Sequence, residues 1–331
     1  MLSGDEYMEL PENLNNAVNI NASAWRPQEL KKAAAAVSER YMTESGSGKR
    51  LVVSEIDAAV YAVMRMPATY CAVLSALGYT QEVTGGFDDI TSVLDAGAGT
   101  GAAAWALRSA GVMPQEMICL EREAAMSRLG QKFASYDPVF EQRMKWISRD
   151  ISRGLDGYKA DMVISSYMLN ELTGEVRKRA VSALWESAGK ILLLVEPGTP
   201  VGYDNLMQVR EQLLAFGAHI AAPCPHEDKC RLEKDDWCHF TVRVQRNRLH
   251  KMLKNADAPY EDEKFCYMAF TRDSFIKCSS RILRHPVTEK GRITLSLCSG
   301  SENTVKTVTK KQGEDYRLAR KAKCGDGIFL K

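Results

Sequence analysis

The chain has 331 residues, 45% of them hydrophobic and 26% charged, with a net charge of +2; that length suits two or three domains, and the composition excludes a mainly disordered or fibrous protein. No run approaches the ~18 apolar residues that a membrane span requires, and the start, MLSGDEYMEL, is acidic and has neither a basic nor an apolar leader segment. The expectation is therefore a monomeric cytoplasmic protein away from the membrane, whose nine cysteines are buried thiols or metal ligands rather than disulfides.

Residues 1–85 read as helical. QELKKAAAAVSERYMTE and SEIDAAVYAVMRMPATYCAVLSALG carry apolar residues at three- and four-residue spacing, with Ser54 as N-cap of the second and Pro67 ending or kinking it. SGSGKR at 45–50 reads as a turn between them. From Thr91 short apolar strands alternate with amphipathic helices, the pattern of a doubly wound parallel sheet: SVLDAG (92–97), MICLER (117–122), KWISRD (145–150), DMVISSY (161–167) and KILLLVEPG (190–198). Such a sheet binds its ligand beyond the carboxyl ends of its strands, which places functional residues at Asp95–Gly101, Glu121, Asp150, Ser165–Glu171 and Glu196–Gly198. After a helix near 203–217 the alternation breaks at HIAAPCPHEDKCRLEKDDWCHF. WCHFTVRV and EKFCYMAFTR read as two further strands, and the end of the chain as short strands and turns. Charge divides along the same line: residues 1–240 carry 24 Lys and Arg against 32 Asp and Glu, and residues 241–331 carry 20 against 10. A basic terminal third points to a polyanionic partner.

In VLDAGAGTGAAAWAL, Gly97, Gly99 and Gly101 follow a strand and precede a helix. Glycines let the backbone turn sharply and approach a ligand, and the helix N-terminus offers free N–H donors. A dinucleotide fits Gly97-x-Gly99-x-x-Ala102. Asp95, two positions before the first glycine, instead makes Asp-x-Gly-x-Gly-x-Gly, which resembles motif I of class I S-adenosylmethionine-dependent methyltransferases. On that reading Asp95 serves the methionine end of the cofactor, Glu121 the ribose hydroxyls, Asp150 the adenine amino group, and Ser165 lies at the same sheet edge. Strand-end acids also cap helices, the competing structural role for each. The fourth strand runs into SSYMLNEL, without the Asn/Asp-Pro-Pro-aromatic motif of amino-group methyltransferases and without a nucleophilic Cys. Asn170 and Glu171 are the candidates to orient an amino or hydroxyl acceptor.

Cys224, Cys230 and Cys238 fall within fifteen residues, which in a reducing compartment points to metal. The spacing lacks the C-x2-C pair typical of structural zinc sites, and Pro225 follows Cys224 as at iron–sulfur ligands. A fourth ligand has to come from His226, His239, Cys266, Cys278 or Cys298.

RMPATY (65–70), LDAGAGTGAA (94–103), SYMLNEL (166–172), VEPGTPVG (195–202), CPHEDKC (224–230), WCHF (237–240) and YEDEKFCYMAFTR (260–272) together resemble the methyltransferase-like proteins of the small ribosomal subunit, a family that includes the mitochondrial small-subunit assembly factor and its bacterial relatives. The resemblance implies a [4Fe-4S] cluster on Cys224, Cys230, Cys238 and the distal Cys298, with zinc as the alternative, and association with small-subunit ribosomal RNA as a methyltransferase or an assembly factor. Arg231 stands where the family commonly has a second Pro. The acidic start points to a bacterial-type, cytoplasmic member. Arg243, Arg246, Arg248, Lys251 and Lys254 would form one positive ridge if helical, an RNA contact that the metal pins to the core. The expected architecture is α/β: an N-terminal helical region (1–85), a class I, Rossmann-like methyltransferase domain (86–275) with a cysteine-rich metal-binding insertion at 221–240, and a basic β-rich C-terminal module (276–331).

Overall fold

The computed structural model describes residues 7–330 apart from 156, 234 and 301. Four helices open it: α1 (Glu12–Ala22), α2 (Pro27–Glu44), α3 (Glu55–Met64) and α4 (Met66–Thr84). The Ser54 hydroxyl caps α3 by accepting the Asp57 N–H at 3.3 Å, and Pro67 sits in the first turn of α4, where its missing N–H is not needed. The long apolar run is thus two helices, bent by 50°. No single helix among the described residues is long and apolar enough to cross a membrane, and α3 and α4 are core helices, with Val60, Val63, Val73 and Leu77 fully buried.

Strands and helices then alternate: β1 (Ser92–Ala96), α5 (Ala102–Ser109), β2 (Glu116–Glu121), α6 (Ala124–Ala134), α7 (Pro138–Arg143), β3 (Met144–Ser148), β4 (Ala160–Ser166), α8 (Gly174–Ser187), β5 (Ala188–Pro197), α9 (Pro200–Ala215), β6 (His219–Ala222), β7 (Phe240–Gln245), α10 (Arg248–Lys254) and β8 (Tyr260–Thr271). The sheet order is β3-β2-β1-β4-β5-β8-β6, with β7 also paired to β8. Strands β1 to β5 are parallel, and β8 runs antiparallel to both β5 and β6. A dinucleotide-binding sheet is parallel throughout in the order 3-2-1-4-5-6. The antiparallel strand inserted between β5 and β6 is instead the class I methyltransferase arrangement. Four-residue β6 and six-residue α7 carry too few residues for periodicity to reveal them.

The central strands are covered on both faces and so read as continuous apolar runs. One face packs Leu14, Val63 and Leu77 of the N-terminal helices against Ile164, Leu193 and Tyr267. The other packs Val163 and Leu192 against Leu184 of α8 and Leu213 of α9. The N-terminal helices therefore share a core with the sheet rather than owning one. The C-terminal module, β9 (Ser280–Ile282), β10 (Val287–Glu289), β11 (Arg292–Ser299), β12 (Asn303–Thr309), α11 (Glu314–Lys321) and β13 (Gly327–Ile328), has its own small core of Ile282, Ile293, Leu295, Leu297, Val308 and Ala319.

The expected basic ridge does not form. Arg243 lies on β7 opposite Asp262 of β8 and bonds its carboxylate at 2.8 and 3.2 Å, and Glu261 takes both Arg246 at 2.8 Å and Lys254 at 2.6 Å. Of the five, only Arg248 and Lys251 make no ion pair among the described residues. Helical spacing is blind to the cross-strand acids that neutralise the other three.

Candidate functional site

β1 runs into the glycine loop, and Gly97, Gly99 and Gly101 all take positive φ, at 80°, 58° and 87°. At Gly97 the approach is also close, since a Cβ would stand 2.9 Å from Met168 Cγ. Gly97 and Ala98 donate their N–H groups to the Leu120 carbonyl at 2.9 and 3.0 Å, and Gly99 donates to Glu121 Oε2 at 2.7 Å. Glu121 Oε1 accepts the Glu123 N–H at 2.7 Å. Glu121 thereby ties the loop to the end of β2. Burial pushes its carboxyl above the usual range, opposed by those two N–H bonds.

Beyond these strand ends lies a cleft of about 140 Å³, walled by Gly97, Gly99, Glu121, Asp150, Ser166, Asn170 and Glu171. Asp150 lines it while its Oδ1 accepts the Ser152 N–H at 3.0 Å and hydroxyl at 2.6 Å. It is cap and cleft wall at once. Asp95 is fully buried and absent from the cleft wall, and neither of its oxygens has a partner among the described residues. Burial pushes it up to about 7, with Glu121 adding to the effect. Ser165 is likewise buried and unpartnered, and Ser166 lines the cleft instead. Gly101 backs onto Trp146.

The loop after β4 holds Asn170 and Glu171. Buried Glu196, at the end of β5, accepts the N–H groups of Leu169 and Asn170 at 3.0 Å each, and burial pushes it up to about 8 against those bonds. Asn170 Oδ1 accepts from Asn205 Nδ2 at 3.2 Å. Burial pushes Glu171 up to about 7 against the pull of Arg122, whose guanidinium lies 3.6 Å away. Arg122 also donates to the carbonyls of Gly48 at 3.3 Å and Lys49 at 2.8 Å. The glycine-rich 45–50 turn is so strapped beside the cleft, whose wall Tyr41, Tyr61 and Arg65 complete from the N-terminal helices. Sequence spacing gives no sign of these roles, which depend on how the helical layer packs.

The cysteines of the 223–239 loop converge from distant segments. Cys224, Cys230 and Cys238 line one pocket of about 40 Å³ with Cys298 of β11 and Cys266 of β8. Burial pushes Cys298 up to about 12, and neighbouring Cys224 and Cys230 push it further in the same direction. Cys238 is raised by burial and then by Cys224, Cys266, Cys298 and Cys230. Cys298 thus shares the pocket with the three loop cysteines, and Cys266, on the same wall, donates to the Cys238 carbonyl at 3.0 Å. Among the described residues no group of three His, Cys, Asp or Glu side chains is placed to hold a metal ion. Around the pocket stand Tyr203, whose hydroxyl donates to Cys230 Sγ at 3.3 Å, His226, whose Nε2 lies 3.5 Å from Cys298 Sγ, and buried Arg210 and Arg281. As lone residues in unrelated segments, the tyrosine and the arginines give no sequence signal.

Known proteins are similar to the chain in sequence, and solved structures align with part of it. The human mitochondrial ribosome assembly protein METTL17 is 27% identical over 292 residues, covering 81% of this chain and 61% of the relative. Two tandem Rsm22-cox11 mitochondrial proteins of Schizosaccharomyces pombe are 25% identical over 213 residues, covering 50% of this chain and 28% of theirs. The chain thus spans only part of the length of these curated relatives. Among solved structures, the Synechocystis magnesium protoporphyrin IX methyltransferase with bound S-adenosylmethionine aligns with a TM-score of 0.42 at 15% identity, over 73% of this chain and 97% of that one. The ribosomal protein L11 methylase of Lactobacillus delbrueckii aligns with a TM-score of 0.37 at 11% identity, over 60% and 77%. The expectation of a cytoplasmic, bacterial-type protein is corrected by the relatives in human and fission yeast, which are mitochondrial. The model of the family described as mitochondrial small ribosomal subunit Rsm22 matches residues 55–329, and the chain belongs to that family.

Proposed function

We propose that this chain binds S-adenosylmethionine in the cleft beyond β1, β2 and β4, holds a [4Fe-4S] cluster on Cys224, Cys230, Cys238 and Cys298, and serves assembly of the small ribosomal subunit in contact with its RNA. The observation that carries the first part is the glycine loop: three positive-φ glycines at the switch point of a class I sheet, with Glu121 and Asp150 on the cleft wall. Glu121 is the acceptor for the ribose hydroxyls and Asp150 for the adenine amino group, while Asp95 acts from beneath the loop. The bound cofactor would supply an activated methyl group. Asn170 and Glu171 would orient the acceptor, their loop held by Glu196.

For the metal, the chemistry of the donors fits. Thiols gathered in one apolar pocket are costly to ionise together, which a metal relieves. Zinc at about 2.3 Å from each sulfur would draw the thiols tightly round one ion. An all-thiol donor set without a C-x2-C pair, with Pro225 after Cys224, supports the cluster over zinc. The role in ribosome assembly is supported by membership of the family and by the ribosome-assembly role of the human relative.

Protein purified without oxygen tests the reading. The expected result is a broad absorption near about 400 nm, about four irons per chain, and S-adenosylmethionine binding in equilibrium dialysis. One tightly held zinc would overturn the cluster, and dialysis without retention the cofactor. Transfer of labelled methyl groups to small-subunit RNA then separates an RNA methyltransferase from an assembly factor that keeps the fold without the reaction. The 45–50 strap and the helical layer beside the cleft favour the second.

A further inference from the structure

Two buried arginines flank the cysteine pocket without a carboxylate in contact. Arg210 on α9 and Arg281 on β9 are each 3% exposed, and neither makes an ion pair among the described residues. Exposed Glu82 and part-buried Asp326 sense Arg281 only from further off. The guanidinium N–H groups go to backbone. Arg281 Nε donates to the Pro223 carbonyl and Nη1 to that of Gly325, at 2.8 Å each, and Arg210 Nη2 donates to the Asp228 carbonyl at 2.6 Å. Arg210 Nε is buried with no acceptor among the described residues.

Carbonyl dipoles orient a guanidinium but do not cancel its charge, and burying a cation without an anion is expensive. Arg281 lies 5.7 Å over the Tyr79 ring and shares the pocket wall with Tyr267 and with the thiols of Cys224 and Cys298. Arg281 lines the pocket beside Cys224 and opposes Cys298 in the β9–β11 ladder, while Arg210 holds the carbonyl of Asp228, two residues before Cys230. A third polar group, the Tyr203 hydroxyl, points at Cys230 Sγ from 3.3 Å. The wall of an otherwise apolar pocket therefore presents the Arg281 charge and one O–H donor to the expected ligand sulfurs, with the Arg210 charge buried behind the loop that carries Cys224 and Cys230.

We propose that Arg210 and Arg281 are the counter-charges of an anionic occupant of the cysteine pocket and, with the Tyr203 hydroxyl, set how readily that occupant accepts an electron. The proposal rests on the cluster reading above. A cluster held by four thiolates carries net negative charge, and taking up one electron from a low-potential donor adds one more, with no bond made or broken and no proton moved. Fixed positive charge and hydrogen bonds to sulfur favour the more negative state, and so raise the reduction potential above that of the same cluster in an apolar shell. A neutral occupant would leave both arginines unbalanced.

The test is a dithionite titration of the full chain, purified without oxygen and followed by electron paramagnetic resonance, with iron content measured alongside. Arg281→Lys, which keeps the charge, is expected to keep both iron and potential. Arg210→Gln and Arg281→Gln are expected to retain iron and shift the potential to more negative values, and Tyr203→Phe to shift it less in the same direction. Because Arg281 also ties Pro223 to Gly325, Arg281→Gln could misfold, in which case Arg210→Gln and Tyr203→Phe decide. Unchanged potentials in iron-loaded variants overturn the proposal and leave the cluster standing. Wild-type protein without iron overturns the cluster reading itself.

Discussion

Glu196 binds the backbone of Asn170: its Oε2 accepts the Asn170 N–H at 3.0 Å while Oε1 accepts that of Leu169 at the same distance. One buried carboxyl at the end of β5 therefore sets the position of the loop that follows β4. It belongs to a set, with Asp95 and Glu171, of acids whose burial raises them to between about 7 and about 8.

That set dictates a pH dependence. A carboxyl whose folded pKa is raised above its unfolded value near ~4 stabilises the fold fully below that value, and the contribution is lost as pH rises through the folded pKa. The cofactor-free protein should therefore lose thermal stability from about pH 4 to about pH 8 and level off above, at roughly 2–4 °C per kcal/mol. Melting curves across that range check it. Glu196→Gln, neutral at every pH, should flatten the upper part of the slope, and a level wild-type profile would refute the assignment.

Gly97 and Gly85 share a φ of 80°, but a Cβ meets Met168 at 2.9 Å in the first and nothing within 4 Å in the second. Gly85→Ala should cost only the left-handed backbone penalty, about 1–2 kcal/mol, with S-adenosylmethionine affinity intact. Gly97→Ala should cost more and weaken binding at least about tenfold, because the loop has to shift. Calorimetric titration of both variants checks the contrast.

Arg122 holds Gly48 and Lys49 by their carbonyls and reaches Glu171. Arg122→Ala should release the strap and speed cofactor dissociation severalfold, measured by stopped-flow competition. An unchanged rate would mean that the strap does not gate the cleft.

Cys298 and Cys266 line the same pocket, but only Cys298 is pushed up by Cys224 and Cys230. Cys298→Ser should lose most of the iron, and Cys266→Ser should keep it, giving up only the bond to the Cys238 carbonyl. Iron analysis after anaerobic purification decides, and the reverse pattern would reassign the fourth ligand.

With Arg243, Arg246 and Lys254 paired to acids, exposed basic residues without ion pairs among the described residues are found on and beside α11, at Lys310, Lys311, Arg317, Arg320 and Lys321. Replacing Arg320 and Lys321 by Glu should weaken binding to small-subunit RNA and lower the slope of log affinity against log salt by about 0.7–0.9 for each phosphate that is no longer neutralised. Arg243→Ala should have a much smaller effect. Filter binding across a salt series measures both.

Local spacing made much of the fold legible. The strands from β1 to β5 lie within two residues of their apolar runs, because a strand buried on both faces has to be apolar throughout. The glycine loop was legible because positive φ demands glycine, and the three nearby cysteines because loop thiols crowd together for few other reasons. Ser165 misled because alternate strand residues face opposite sides, so a one-residue choice exchanges cleft for core. The ridge misled because Glu261 and Asp262 arrive from another strand.

The sequence by itself determined the sheet, the glycine turn and the chemistry of the cysteine loop, since each is written in residues a few positions apart. Only the tertiary structure decided that Arg281 and Tyr203 stand among its sulfurs with Arg210 buried close by, and that the N-terminal helices wall the cleft. These depend on ladder register and on burial in a shared core, where charge, hydrogen bonding and desolvation are set by neighbours distant along the chain.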